Sequence, residues 1–112
     1  MKLGRKFHFD AAHYILDAGE KQCEELHGHT YALEVVVEGN VGKNGMVMDF
    51  ADLKKIVNEA ISKLDHKNLN HLFKNPTAEN IAQWIFDQLK PKIDVVSVKL
   101  WEGEGKWVEV SR

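Results

Sequence analysis

The chain has 112 residues, of which 44% are hydrophobic and 29% are charged, with two prolines. Such a composition is typical of an ordinary globular domain and excludes a disordered or low-complexity chain. The formal net charge is −2 and the basic residues form no cluster, so we expect neither a nucleic-acid nor a membrane partner. We expect a single domain over residues 1–112, located in the cytoplasm, because the N-terminus lacks the apolar core of a signal peptide and the one cysteine cannot form an internal disulfide.

Two segments near the N-terminus alternate apolar and polar residues, which is the pattern of half-buried strands. We predict the first strand over residues 2–13 and the second over about residues 27–38. His13 has the parity of the apolar residues in the first strand, and His27 and His29 have the apolar parity of the second. All three imidazoles are therefore expected to point inward.

The rest of the chain predicts two helices and then two strands. Asp49 is a suitable N-cap for a helix to about residue 64, in which apolar residues recur at spacings of three and four. Pro76-Thr77 opens a second helix. Two further alternating segments follow, at residues 95–102 and 106–110. This order predicts an α+β fold (ββααββ), a four-stranded antiparallel sheet with both helices on one face.

The three inward histidines are ligand types of a zinc site. On a strand, the side chains of His27 and His29 point to the same side, roughly 6.5–7 Å apart along the backbone, so both can reach one ion. Three converging histidines are poorly explained as hydrogen-bonded core residues, because each buries polar nitrogens. We therefore predict a metal site at His13, His27 and His29, with zinc favoured over other first-row metals.

Cys23 lies in the long, polar connection between the first two strands, residues 14–26. Connections of this length are often functional. The thiol is interpreted either as a fourth zinc ligand, which would make the site structural, or as a base or nucleophile activated by the nearby cation. A small buried hydrophobe is a third interpretation. Spacing alone does not separate base from ligand.

Three further polar residues are candidates for chemistry. Asp65-His66 follows the first predicted helix, where a polar pair is also expected as a capping and solvated feature. Glu102 has the inward parity of the valines and leucine in its strand. A buried carboxylate must be paired, protonated or in contact with a ligand, whereas exposure at the sheet edge is the alternative interpretation.

Six short motifs follow one another along nearly the whole chain: Phe-Asp-Ala-Ala-His13, Cys23-x₃-His27-Gly-His29, Met-Asp49-Phe50, Leu64-Asp65-His66-x₂-Leu-Asn70, Pro76-Thr-x-Glu-Asn80 and Trp-Glu102. Their order and separations resemble the 6-pyruvoyl-tetrahydropterin synthase and 6-carboxy-tetrahydropterin synthase family. The resemblance implies the tunnelling fold, in which four strands of each subunit join neighbouring subunits in a twelve-stranded trimeric barrel, and two trimers stack as a hexamer.

The resemblance also implies roles for the candidate residues. The three histidines would hold Zn²⁺, and Cys23 would be the proton-abstracting base instead of a ligand. Asp65 and His66, from a neighbouring subunit, would relay protons, and Glu102 would anchor the pterin ring and share in that relay. Two further residues of the motifs are expected near the pterin: Thr77 and Glu79.

The substrate that the resemblance implies is 7,8-dihydroneopterin triphosphate. The short interval from Cys23 to His27 resembles the carboxy branch, which makes 6-carboxy-5,6,7,8-tetrahydropterin for 7-deazaguanine and queuosine synthesis. The pyruvoyl branch, which generally has a longer insertion at this point, stops at 6-pyruvoyl-tetrahydropterin.

Glu24 departs from the carboxy pattern, because a folate-linked branch of the family uses a glutamate at this point to form a 6-hydroxymethyl-pterin. Glu24 is therefore an alternative base beside Cys23. A surface glutamate is the simpler interpretation. From another class of protein, a zinc-stapled ligand-binding module without catalysis is the remaining alternative.

Overall fold

The computed structural model describes residues 1–17 and 19–112; Ala18, in the predicted connection of residues 14–26, lies outside the described residues. The predicted α+β class is confirmed, and the first two strands have the predicted bounds. In chain order the elements are β1 (Lys2–His13), α1 (Lys21–Glu24), β2 (His27–Glu38), α2 (Phe50–Ile61), β3 (Lys67–Asn68), α3 (Ala78–Leu89), β4 (Val95–Glu102) and β5 (Trp107–Ser111), with one 3₁₀ turn at Leu69–His71.

The sheet has five strands in the order β3-β1-β2-β4-β5, so the prediction of four strands was incomplete. The pairs β1–β2, β2–β4 and β4–β5 are antiparallel, whereas β3 runs parallel to β1 and makes the sheet mixed. With only two residues, β3 is too short to show an alternation in the sequence. Its pairing with Ala11 and Ala12 depends on where the chain returns after α2.

The described part of the chain also has three helices where two were predicted. The additional helix, α1, is a single turn inside the segment predicted as a loop, and it contains Cys23. A four-residue helix without a side-chain cap has no local signal strong enough to predict it.

Both longer helices begin at side chains that cap them. The Asp49 side chain accepts a hydrogen bond from the backbone N–H of Ala51, and the Thr77 side chain accepts one from Asn80. Each bond satisfies one of the helix's free N-terminal N–H groups. None of the helices in the described part of the chain has the length and hydropathy that crossing a membrane requires.

The core lies between the sheet and the two longer helices, which pack on the same face. We call this the core face. The side chains that bury most completely come from both layers, and include Leu33, Val35 and Leu100 from the sheet with Leu53, Val57, Ile81, Ile85 and Leu89 from the helices. Burial of these apolar side chains supplies most of the driving force for folding.

The opposite face of the sheet, which we call the outer face, carries charged and aromatic residues. Lys6, Glu34 and Lys99 lie side by side on it across β1, β2 and β4. The Lys99 ammonium lies 4.9 Å from the ring centroid of Trp101 and 4.0 Å from that of Trp107. The lysines thus cover aromatic surface that no helix of the described chain shields.

Replacing Asp49 by alanine removes the N-cap of α2 and leaves the Ala51 N–H without its partner. We expect the free energy of unfolding to fall by about 1 kcal/mol, measured by urea denaturation. Asp49→Ser keeps an oxygen acceptor and serves as the control. A loss of equal size in both variants would contradict the capping role.

Candidate metal and pterin site

The pairing of β1 with β2 brings three histidines together at one end of the core face. His13 lies directly opposite His27 in the register, and His29 lies opposite Ala11. The ring centroids are 4.6 Å (His13–His27), 4.7 Å (His27–His29) and 5.0 Å (His13–His29) apart. One ligand atom of each ring lies within 4.8 Å of the others, as a shared metal ion requires.

Backbone carbonyls fix which ring nitrogen of two of these histidines is free. Nδ1 of His13 lies 2.8 Å from the carbonyl oxygen of Pro76, and Nδ1 of His27 lies 2.7 Å from that of Glu25. A carbonyl only accepts hydrogen bonds, so both Nδ1 atoms carry a proton, and in the neutral ring the lone pair is then on Nε2. Histidine metal ligands are usually oriented by this kind of second contact.

The Nε2 atoms of His13 and His29 are buried without a hydrogen-bond partner, and His13 is fully buried. Burial lowers the pKa of His29, the other two histidines lower it further, and Glu102 opposes them, so the neutral ring that binds metals is favoured. Unpartnered buried nitrogens that converge on one point fit a metal ion. Three imidazoles match the preferences of zinc and leave a coordination position for another ligand.

Glu102 extends the histidine cluster toward a cavity. Its carboxylate lies 3.5 Å from Nε2 of His29, and its side chain is 20% exposed, so it is not solvated at the sheet edge. Glu102 lines a cavity of about 230 Å³ together with Thr77 and Glu79. A carboxylate-lined cavity therefore lies directly beside the histidine nitrogens.

Cys23 and Glu24 lie on α1, next to this region. The backbone carbonyl of Cys23 accepts a hydrogen bond of 2.7 Å from the N–H of Ile15, which lines the same cavity. Cys23 is half-buried and Glu24 is exposed. Among the described residues, the sulfur of Cys23 does not belong to the cluster of ligand atoms that lie within 4.8 Å of one another.

Asp65 and His66 lie apart from the three histidines, in a second cluster. The Asp65 carboxylate is 3.1 Å from Nδ1 of His66. The pKa of Asp65 is held below its ordinary value, first by the backbone N–H of Asp10 and then by His66. Asp65 is therefore an anion at neutral pH.

Several groups that no sequence pattern predicted also lie at these clusters. Two of them lie at Nδ1 of His13: the Pro76 carbonyl oxygen at 2.8 Å and the Tyr31 hydroxyl at 3.3 Å. Asp10 lies beside Asp65 and His66. The only sequence signal for Asp10 is its place in the first motif, since its parity is that of an exposed strand residue.

Comparisons with known proteins agree with these features. The sequence model of the 6-pyruvoyl tetrahydropterin synthase family matches residues 2–112. An Archaeoglobus fulgidus protein provisionally named 6-carboxy-5,6,7,8-tetrahydropterin synthase is 47% identical over 113 residues, covering 100% of this chain and 96% of the relative. The dihydroneopterin monophosphate aldolase of Pyrococcus furiosus is 47% identical over 106 residues (91% and 90% covered). The 6-carboxy-5,6,7,8-tetrahydropterin synthase of Haemophilus influenzae is 36% identical over 131 residues (90% and 92% covered).

The fold matches as well. The 6-pyruvoyl tetrahydropterin synthase of Caenorhabditis elegans superposes with a TM-score of 0.88 at 29% identity, covering 100% of this chain and 95% of that one. The match of the family model over residues 2–112 and the identity to named relatives identify the chain as a member of the 6-pyruvoyl tetrahydropterin synthase family, and hence as a lyase of the tetrahydropterin synthase type.

Proposed function

We propose that this protein converts 7,8-dihydroneopterin triphosphate to 6-carboxy-5,6,7,8-tetrahydropterin, as a zinc enzyme of the 7-deazaguanine and queuosine type of pathway. The observation that carries the proposal is the convergence of His13, His27 and His29 with two buried, unpartnered Nε2 atoms. The relatives named 6-carboxy-5,6,7,8-tetrahydropterin synthase support the choice of product.

The three histidines would hold Zn²⁺ through their Nε2 atoms, since carbonyl contacts occupy Nδ1 of His13 and His27. A bound zinc would act as a Lewis acid that acidifies the side-chain hydroxyls of the substrate. The fully buried His13 fixes the inner end of the site, so the substrate approaches from the half-buried His29 and the adjacent cavity.

Cys23 is the proposed base that removes a proton from substrate carbon. Its half-buried position and the bond from Ile15 hold α1 against the cavity, whereas the exposed Glu24 has more freedom. Asp65 and His66 are the proposed proton relay. Because they form their own cluster within the described chain, we propose that they serve the site of a neighbouring subunit, as expected for an enzyme whose sites lie between subunits.

Glu102 is the proposed anchor for the pterin ring. A carboxylate can accept hydrogen bonds from the amino group and a ring N–H of a pterin side by side. Thr77 and Glu79 line the same cavity and would complete the binding site. The proximity of Glu102 to His29 places the anchored ring next to the proposed metal.

Folate-type side-chain cleavage with Glu24 as the base is the second candidate function. It is favoured by a specific observation, the 47% identity to a dihydroneopterin monophosphate aldolase. Cys23 and Glu24 are neighbours on α1, so both carboxylate and thiol are available near one site.

Self-association to a trimer, and of two trimers to a hexamer, is part of the proposal. The outer face of the sheet has no helix of the described chain on it and carries Trp101 and the exposed Trp107. β5 also leaves one edge of the sheet without a partner strand in the described chain. Closure of such edges between subunits would remove unpaired backbone groups from solvent.

Replacing His13 by alanine removes one of the three proposed ligands. We expect the protein to lose stoichiometric zinc, because a catalytic zinc site needs three protein ligands and only two imidazoles remain. Metal analysis after dialysis against a weak chelator measures the loss. His8→Ala is the matched control, since His8 is exposed on the other face of β1. Equal zinc content in both variants would contradict the site.

The two proposed bases are separated by Cys23→Ala and Glu24→Gln, each incubated as zinc-loaded protein with 7,8-dihydroneopterin triphosphate. We expect Cys23→Ala to keep its zinc and to lose the carboxy product by at least about 100-fold. Glu24→Gln should keep that product. Mass spectrometry identifies the pterins that are formed.

Each other result assigns a different function. Loss of a 6-hydroxymethyl-pterin in Glu24→Gln would support folate-type cleavage, and an accumulated 6-pyruvoyl-tetrahydropterin would support the pyruvoyl reaction. Zinc loss in proportion to activity in Cys23→Ala would make the thiol a ligand. A wild-type protein that binds pterin without turnover would be a binding module.

A further inference from the structure

The cavity beside the histidines is lined by one basic residue, Lys106. The other ionisable side chains that line this cavity of about 230 Å³ are the carboxylates of Glu79 and Glu102, and Thr77 adds a hydroxyl. The remaining lining residues carry no charge: Ile15, Ala78, Trp107 and Val108. The proposed pterin site uses the two carboxylates and the hydroxyl, and it leaves the ammonium of Lys106 without a role.

The hairpin of β4 and β5 places Lys106 directly beside Glu102. Trp101 on β4 lies opposite Trp107 on β5, so the next pair toward the turn is Glu102 with Lys106. The backbone N–H of Glu102 donates a hydrogen bond of 3.0 Å to the carbonyl oxygen of Lys106. Opposite residues of an antiparallel pair project to the same face of the sheet. The ammonium of Lys106 and the carboxylate of Glu102 therefore both lie on the core face, at the cavity.

The ammonium of Lys106 is available to a bound molecule. Within the described part of the chain, none of the salt bridges includes Lys106, and the residue is exposed at the rim of the cavity. A lysine ammonium has three hydrogen-bond donors and no acceptor. Lys106 can therefore donate to an acceptor on a molecule that Glu102 holds.

Lys106 and the histidines lie on opposite sides of Glu102. The three residues His29, Glu102 and Lys106 come from β2, β4 and β5, which are consecutive strands of the sheet. Burial is the main cause that lowers the pKa of His29, and among the charges that act on it the Lys106 ammonium contributes least. A substrate whose side chain lies at the histidines also carries its phosphates there. Lys106 is consequently placed beside the ring and not beside the phosphates.

The edge of a pterin ring offers one acceptor next to its two donors. The 2-amino group and the N3–H are neighbouring donors, which a carboxylate accepts side by side. The 4-oxo oxygen follows N3 on the same edge and needs a donor when it leaves water. A carboxylate with an ammonium next to it, as in Glu102 and Lys106, is complementary to all three groups.

We propose that Lys106 donates a hydrogen bond to the 4-oxo oxygen of the ring that Glu102 anchors, and that the two residues together select 2-amino-4-oxo rings over 2,4-diamino rings. An amino group at C4 would direct N–H donors at the ammonium, which disfavours the diamino ring. The inference rests on the proposed function for the presence of a pterin in this cavity, and it holds for each of the candidate products.

The test compares two ligands that differ at this edge, 6-hydroxymethylpterin and 2,4-diamino-6-hydroxymethylpteridine. Calorimetry with the zinc-loaded protein near neutral pH gives the Kd of each. Wild type should bind the oxo ring more tightly. In Lys106→Met we expect the Kd of the oxo ring to rise about tenfold, because a hydrogen bond to a charged donor is lost, while the diamino ring binds no more weakly than to wild type.

Two further variants are the controls. Lys106→Arg keeps a cationic donor and should keep the preference for the oxo ring. Lys54→Met changes the net charge equally at an exposed position on α2, and should leave both Kd values unchanged. The melting temperature of Lys106→Met should equal that of wild type, since the side chain is exposed.

Three results would overturn the inference: an unchanged preference in Lys106→Met, an equal loss of affinity for both rings, or a loss of affinity in parallel with melting temperature. A wild-type protein that binds neither ring would overturn it as well.

Turnover of 7,8-dihydroneopterin triphosphate, measured separately, distinguishes this inference from the proposed function. A wild-type protein without turnover, together with a lost preference in Lys106→Met, would end the proposed function and retain the contact to the ring. Formation of the carboxy product, together with an unchanged preference in Lys106→Met, would end the inference and retain the function.

Discussion

The register of β1 against β2 is the constraint on which the site depends. Side chains on a strand alternate with a period of two, so a slip of one residue would turn every histidine of the shifted strand away from the core face. In the observed register His13 faces His27, and His29 lies two pairs further along, which brings three rings to one end of the core. The apolar residues that precede His13 on β1 and follow His29 on β2 fix this register because they must be buried at the same time.

Burying His13 and half-burying His27 and His29 leaves ring nitrogens that need hydrogen-bond partners. The carbonyl of Pro76 accepts a hydrogen bond from Nδ1–H of His13, and the carbonyl of Glu25 accepts one from Nδ1–H of His27. These carbonyls belong to segments just before α3 and just after α1. The histidines consequently connect the sheet to the two segments that carry Thr77 and Cys23. The buried Nε2 atoms of His13 and His29 have no hydrogen-bond partner.

Alternation along β1 also separates two kinds of chemistry. His13 points to the core face, where the proposed metal ligands lie, and Asp10, of the opposite parity, lies at the cluster with Asp65 and His66. One strand therefore fixes the positions of both clusters relative to each other. The same alternation occurs on β2, where His29 belongs to the histidine cluster and the adjacent Thr30 faces Asp10. The Thr30 hydroxyl donates a hydrogen bond to the Asp10 carboxylate.

The sequence by itself determined the features that are local or periodic. Alternation located β1, β2 and β4 and put the three histidines on the apolar side, while Asp49 and Thr77 marked the helix starts, because a cap depends on residues only two or three positions away. The motifs also indicated the family, which the comparisons confirm.

The tertiary structure decided what depends on distant segments meeting. β3 is two residues long and exists only because the chain after α2 returns beside Ala11 and Ala12. The same return places Asp65 and His66 against Asp10, more than fifty positions away in sequence. The Pro76 carbonyl reaches His13 in a similar way, across 63 positions. No periodicity encodes such contacts, because they arise only when the packing of α2 and α3 on the sheet fixes where the connecting segments run.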